Sequence, residues 1–370
     1  MIGIINSNKN FFNEKLDDYN QVFQNFAGNT GNSLISESVI NNFCNRTPYV
    51  IVNNLYKNID RDQIDLLKNC NHLLFIMKDN LRSGQSYAGL DESVFFDNLY
   101  KIINSTNCEI TILSLGLNHF DRNFPLKDLI LEIPTEFIKW LQLIQDRTYK
   151  YCTRGYKSAE ILELIGIKNT LPLGCPSFFN FRFPEIDQEK INSINNSDLF
   201  IFNGIFCNSK SSNHTYVIQD EKILFDLIFG KKVNSSEYEY FKDMSKLYAK
   251  DIIDHYKKNK VFFFSDFQSA FEIYNNASLS IGTRIHGGVA SLSCGVPTLI
   301  TNQDMRASEI CDFLNIPYFP EYGFSVNSDF GEDIDIPILI NKTDFTRYNK
   351  SYKEKFENFN NFKKTLLKKL

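Results

Sequence analysis

Short apolar runs, bounded by polar or glycine-bearing turns, recur along the chain and alternate with stretches of helical spacing. In the first half the runs are 49–53, 72–77, 109–115, 149–153 and 169–173; in the second they are 199–203, 216–219, 261–264, 278–281 and 298–301. Runs that stay apolar suit strands covered on both faces, as in parallel sheets. Between them, 34–40, 59–67, 93–103, 135–145, 220–229, 235–257, 266–275 and the stretch from the turn at Gly282 to Cys294 predict helices. Strands alternating with helices in both halves predict an α/β chain of two doubly wound, Rossmann-like domains facing each other across a cleft. Segment 178–197 is rich in Asn, Pro and charge and has no strand pattern, so the boundary is expected there, with domains over 1–177 and 178–346. In 347–370, Tyr348, Tyr352, Phe356, Phe359, Phe362 or Lys363, Leu366 and Leu370 form one apolar stripe with lysines over the remainder. That predicts a terminal helix packed on its own protein, although a basic amphipathic helix also suits an anionic membrane surface.

Composition narrows the function classes. A chain of 370 residues, 43% hydrophobic and 23% charged, can bury two cores and is not disordered. Its net charge of -4 argues against a nucleic-acid partner. The eight cysteines are scattered without a C-x-x-C pair, which excludes a disulfide framework or zinc cluster as the organising device. No metal or cofactor is expected. The N-terminal residues turn polar after Ile5, and no apolar run approaches the length of a membrane span, so a cytoplasmic, reduced setting is expected.

The chemistry concentrates in Gly282-Thr283-Arg284-Ile285-His286-Gly287-Gly288, which follows a buried strand and opens a helix. A strand, a glycine turn and a helix N-terminus offer free backbone N–H groups and a positive dipole end to an anion. Gly287 and Gly288 are placed to let a ligand approach the backbone, and Gly295 suits the left-handed stop of the helix. Arg306 follows the next strand and can reach the same crevice. Earlier in the chain, Asn29 and Asn32 lie in a glycine loop before a helix, and Lys78-Asp79-Asn80 and His119 follow strand ends. Those positions line the ligand crevice of an open parallel sheet. Asn29, Asn32, Asp79, Asn80 and His119 are therefore acceptor-side candidates, with Asp79 and His119 as guesses for a base. Each has a plainer reading: a turn, a helix cap or a solvated loop. Cys175 is expected to be inert because the sequence gives it no basic neighbour.

Arg284-Ile285-His286-Gly287, followed by Ser291-Leu292, Gly295-Val296-Pro297, Arg306 and Glu309, resembles the signature of the polysaccharide pyruvyltransferase family. Thr153-Arg154-Gly155 with Ala159-Glu160-Ile161-Leu162 resembles its arginine-bearing helix. Gly28-Asn29-Thr30-Gly31-Asn32 is similar to its opening loop, with Asn32 where an aspartate is usual. An amide there cannot act as a base. Lys78-Asp79-Asn80 stands where many members carry a glycine-rich stretch. The resemblance implies a glycosyltransferase B-like fold whose last helix crosses back to the N-terminal domain. It implies phosphoenolpyruvate as donor and a sugar of a bacterial capsule, exopolysaccharide or lipid-linked precursor as acceptor, joined as a pyruvate ketal. Arg284 and His286 then bind the donor and serve catalysis, with Arg154, Gly287, Gly288 and Arg306 as further donor contacts. An imidazole titrating near neutrality would serve as the acid. Replacing Arg284 is expected to abolish donor binding at little thermal cost. The same pattern leaves two other readings open. One is a nucleotide-sugar glycosyltransferase with Glu309 on the donor ribose; the other is a non-catalytic glycan-binding relative. An Arg-x-His before a helix can also be a structural ion pair.

Overall fold

The structure is a computed structural model that describes residues 1–7, 18–26, 29–45, 47–53, 55–83, 92–204, 213–232, 234, 236, 256–301, 304–319, 340 and 343–370. The N-terminal sheet comprises β1 Ile2–Ile5, β2 Tyr49–Val52, β3 His72–Ile76, β4 Glu109–Leu115, β5 Thr148–Thr153 and β6 Thr170–Pro172. Their order is β2-β1-β3-β4-β5-β6, and every ladder is parallel. The C-terminal sheet comprises β7 Phe200–Asn203, β8 His214–Val217, β9 Val261–Phe262, β10 Leu279–Gly282, β11 Thr298–Thr301 and β12 Tyr318–Phe319. It is also parallel, in the order β9-β8-β7-β10-β11-β12. Strand order reverses between β1 and β3 in one lobe and between β7 and β10 in the other. In such sheets those reversals, at the carboxyl ends of the strands, are where crevices open.

Every run read as a strand is one, within small trims; the run at 216–219 begins earlier, at His214. Two strands of these sheets lacked a readable pattern, as did the short parallel pair Leu81–Arg82 and Leu117–Asn118. β1 is only four residues long before the chain turns polar, yet all four are buried between β2 and β3. β12 has two residues on the sheet edge. Helix Leu126–Glu132 also went unread: its buried face is Leu129 alone, too little for a periodic signal. Most of the helix expected over 235–257 lies outside the described residues.

Five helices position the site or seat the lobes: α1 Asn32–Phe43, α2 Tyr156–Leu164, α3 Ile285–Ser293, α4 Met305–Leu314 and α5 Thr346–Leu367. One apolar cluster joins a face of the N-terminal sheet (Ile2, Ile4, Leu74, Ile76) to Phe178, Phe179 and Phe183 and on to the C-terminal sheet. A second, with Trp140, Phe75 and Phe137, covers the other N-terminal face. The stripe on α5 buries Tyr348, Tyr352, Phe359, Phe362 and Leu366. Phe359 and Phe362 pack against Phe43 of α1, Phe359 stacks on Phe179, and Lys363 reaches Asn42 at 2.7 Å. The terminal helix thus leans on the N-terminal lobe. Among the described residues no helix is long and apolar enough to cross a membrane.

Candidate functional site

β10 ends at Gly282 with φ 152°, and a Cβ there would strike the Asn203 carbonyl at the end of β7. Only glycine lets the two strand ends close up in this way. The Asn203 carbonyl then accepts the Thr283 N–H at 3.0 Å, and α3 begins. It stops as the sequence suggests. Gly295, at φ 73°, gives its N–H to Leu292, and Val296 gives its own to Ser291, the paired bonds of a Schellman cap. The roles expected of Gly287 and Gly288 change. Their open faces are filled by the Asn203 side chain and by Ile300 and Thr298, so the close approach is made by the sheet and not by a ligand.

Arg284 sits at the N-cap of α3, and one corner of its guanidinium is occupied while its buried Nε has no hydrogen-bond partner among the described residues. One Nη bonds the Asp220 carboxylate and lies 3.1 Å from Glu221 Oε1, both residues in the loop after β8. Burial pushes Asp220 up to about 6 against the pull of Arg284. Burial also opposes ionisation of Glu221, but Arg284 and the backbone N–H donors of Gln219 and Asp220 hold it below its usual value. The expectation that Arg284 can be removed at little thermal cost no longer follows, because two partly buried carboxylates, Glu221 the more so, depend on it.

Three further cations stand at the seam. Arg154, 2% exposed at the end of β5, donates from Nε to Ser114 Oγ at 3.0 Å. Lys78, 7% exposed, follows β3. Among the described residues neither is ion-paired. Arg306 on α4 reaches Asp79 at 3.6 Å and Asp304, the N-cap of its own helix, at 3.2 Å. In their midst is His286, buried in the first turn of α3, with Nε2 4.0 Å from Cys175 Sγ. Burial, then the charges of Arg154 and Arg306, hold this imidazole well below its usual range, with Lys78 adding to the effect and Asp79 opposing it. A lowered imidazole favours its neutral form, which counts against the role of acid expected for it. Cys175 also differs from expectation, since His286 is its neighbour, beside Ser177 at 3.1 Å and Ser114 at 3.6 Å.

The backbone around these cations is unusual. Asn6 after β1, Lys78 after β3 and Ser114 in β4 have φ of 59°, 51° and 60°, a left-handed conformation that side-chain-bearing residues seldom adopt. Ser114 lies where the β4–β5 register shifts, so the irregularity aims its hydroxyl at Arg154. Strained strand ends of this kind gather at functional sites.

Several bonds seat the lobes against each other over this cluster. Thr30 N–H donates to the Gln219 carbonyl at 3.0 Å, and Met305 N–H to that of His119 at 2.8 Å. Glu309 on α4 accepts from Ser158 N–H at 2.6 Å and Ser158 Oγ at 2.7 Å, capping α2 of the other lobe. Glu37 on α1 returns the arrangement, accepting the Phe267 N–H at 2.9 Å.

Arg154, His286, Arg306 and Asp79 are thus brought together, and Arg284 stands beside them in its own ion pair. Asn29 and Asn32 serve the turn into α1, Asn29 Oδ1 accepting the Gly31 N–H at 2.9 Å. Gly31 itself lies against His286 and Gln219. Asn80 turns to the Tyr56 hydroxyl. The His119 ring stacks between Phe120 and Phe124, with Glu132 4.0 Å away. Sequence reasoning missed Ser114 and Asp220 and gave Lys78 position alone. A serine inside a strand and an acidic pair at a helix start carry no pattern of their own.

A profile of the polysaccharide pyruvyl transferase family matches residues 29–304. The chain belongs to that family. Polysaccharide pyruvylation is therefore the general chemistry of this pyruvyl transferase, and the match spans both halves of the site, from Asn29 to Asp304. By sequence, no curated protein matches it. Among solved structures, Anabaena HepE in complex with UDP and glucose is similar at 9% identity and a TM-score of 0.42, covering 97% of this chain and 94% of that one. The UDP-GlcNAc 2-epimerase of Neisseria meningitidis bound to UDP-GlcNAc is similar at 9% identity and a TM-score of 0.43, covering 100% and 98%.

Proposed function

We propose that this pyruvyl transferase moves the pyruvyl group of phosphoenolpyruvate to a sugar of a surface polysaccharide or its lipid-linked precursor, forming a pyruvate ketal and releasing phosphate. The observation that carries the reading is the buried pair Lys78 and Arg154, neither ion-paired among the described residues, beside His286 and the partly buried Arg306. Burying cations without matching carboxylates costs stability unless an anion is to be received. A small molecule carrying both a carboxylate and a phosphate suits several cations converging from two lobes. Each charge-assisted contact contributes about 1.5–3 kcal/mol.

In this reading Arg154 and Arg306 hold the donor's anionic groups, and neutral His286 offers a hydrogen bond. Arg284 fixes Asp220 at the seam. Burial pushes Asp220 up to about 6, and it stays about a third exposed beside Arg284. The nucleotide-sugar alternative loses its ribose partner, since Glu309 is fully engaged by Ser158. A lipid-linked acceptor would put the reaction in the cytoplasm at the inner membrane face. The test is incubation with phosphoenolpyruvate and a panel of methyl hexosides, in the presence of a chelator. Release of phosphate with a carboxyethylidene adduct on one sugar is the expected result. Transfer only from a nucleotide-sugar, or only with added divalent metal, would overturn it.

A further inference from the structure

Lys78 is the part of the cluster whose presence the binding of an anion does not by itself explain. Arginines already supply fixed charge, and they do so without strain. Lys78 is held in a left-handed conformation by a tight turn in which its carbonyl accepts the Gly116 N–H at 2.5 Å, and Gly116 packs on the Arg154 side chain. The groups that act on it are Asp79 from its own loop, Arg154 from β5 and His286 from α3. No hydrogen bond or ion pair among the described residues engages its ammonium. It is a buried lysine placed at the β1/β3 reversal and left without a partner.

Resting on the donor reading above, we infer that Lys78 is the proton carrier of the transfer, giving a proton to the methylene carbon of the enol phosphate and recovering one from an acceptor hydroxyl. The electrons balance without an oxidant or reductant. The enol π pair takes the Lys78 proton to form the new C–H bond, leaving a cation at C2. The first acceptor oxygen bonds C2 as its proton passes to the neutral amine. The second oxygen bonds C2 as the C2–O bond to phosphate breaks, and its proton leaves with the phosphate. Lys78 ends as it began. Its basicity fits the task, because burial, with Arg154 assisting and Asp79 opposing, brings it down to about 8.

The test follows exchange of the donor's methylene hydrogens in D2O by NMR, using phosphoenolpyruvate with the full-length parent, Lys78→Arg and Lys78→Met. The parent should wash deuterium into C3, with the rate falling as pH rises past about 8 because the ammonium is lost. Lys78→Arg keeps the cation but cannot release its proton, so its donor affinity should stay within about threefold while exchange drops about 100-fold or more. Lys78→Met should lose exchange as well. Exchange in Lys78→Arg within threefold of the parent overturns the inference. So does a parent that binds phosphoenolpyruvate without exchanging it, which leaves the donor reading standing. A parent that does not bind phosphoenolpyruvate removes both.

Discussion

The two strand reversals end in opposite electrostatic states. At the β7/β10 reversal the charge is settled: Arg284 is held by Asp220 and Glu221, and glycine relieves the one impossible turn. At the β1/β3 reversal it is not. Asn6, Lys78 and Ser114 keep left-handed backbones without glycine, and among the described residues the buried Lys78 and Arg154 form no ion pair. A paired buried charge braces a fold, while an unpaired one stores free energy that a ligand of opposite sign can release. The arginine most conspicuous in the sequence is the braced one, and the proposed anion site belongs chiefly to the other lobe and to α4.

That contrast can be broken at either end. Arg284→Ala should give the largest stability loss, about 3–5 kcal/mol by chemical denaturation, because it strands two partly buried carboxylates. Adding Asp220→Asn and Glu221→Gln should restore part of it. Arg154→Met should do the reverse. Donor affinity falls about 100-fold by calorimetry, with the denaturation midpoint nearly unchanged. If the two variants exchanged phenotypes, the assignment of brace and site would be inverted. Glu309→Ala removes two bonds that join α4 to α2 and should cost about 2–3 kcal/mol. Its effect on donor affinity should be smaller than that of Arg154→Met.

The smallest expected effect depends on pH. Burial raises Glu37 from 4.5 to about 7, with the Phe267 N–H opposing and Asp266 adding to the shift. The folded state therefore holds this proton more tightly than the unfolded chain. Its contribution is complete below pH 4.5 and is lost as pH rises toward 7. Glu37→Gln has no such dependence. It should match the parent near pH 4.5 and exceed its stability by about 1–3 kcal/mol at pH 8. Denaturation curves at both pH values check the sign.

The fold was legible because parallel strands buried on both faces carry apolar residues at successive positions, as at the centres of β3, β4, β7 and β11. β1 escaped because four residues are too few to establish a pattern, although it is central in its sheet. Within the site, a motif could mark Arg284 and His286 as special but could not say what surrounds them. The acids that occupy Arg284 lie 63 and 64 residues away in sequence. The lowering of His286 comes first from its burial and then from cations gathered from three other elements. Glu309, read as a ribose partner, caps a helix 151 residues distant. Long-range pairing decides whether a charge is free, and periodicity carries no information about it.

The central claim is that Arg154 and its neighbouring cations, and not Arg284, receive a doubly ionised enol phosphate. Calorimetric titration of phosphoenolpyruvate, and separately of UDP- and GDP-sugars, into the parent and Arg154→Met tests it most directly. The account predicts saturable binding of phosphoenolpyruvate by the parent, binding about 100-fold weaker by Arg154→Met, and no heat from the nucleotide-sugars. Tight nucleotide-sugar binding with phosphoenolpyruvate silent, or equal phosphoenolpyruvate affinity in both proteins, would contradict it.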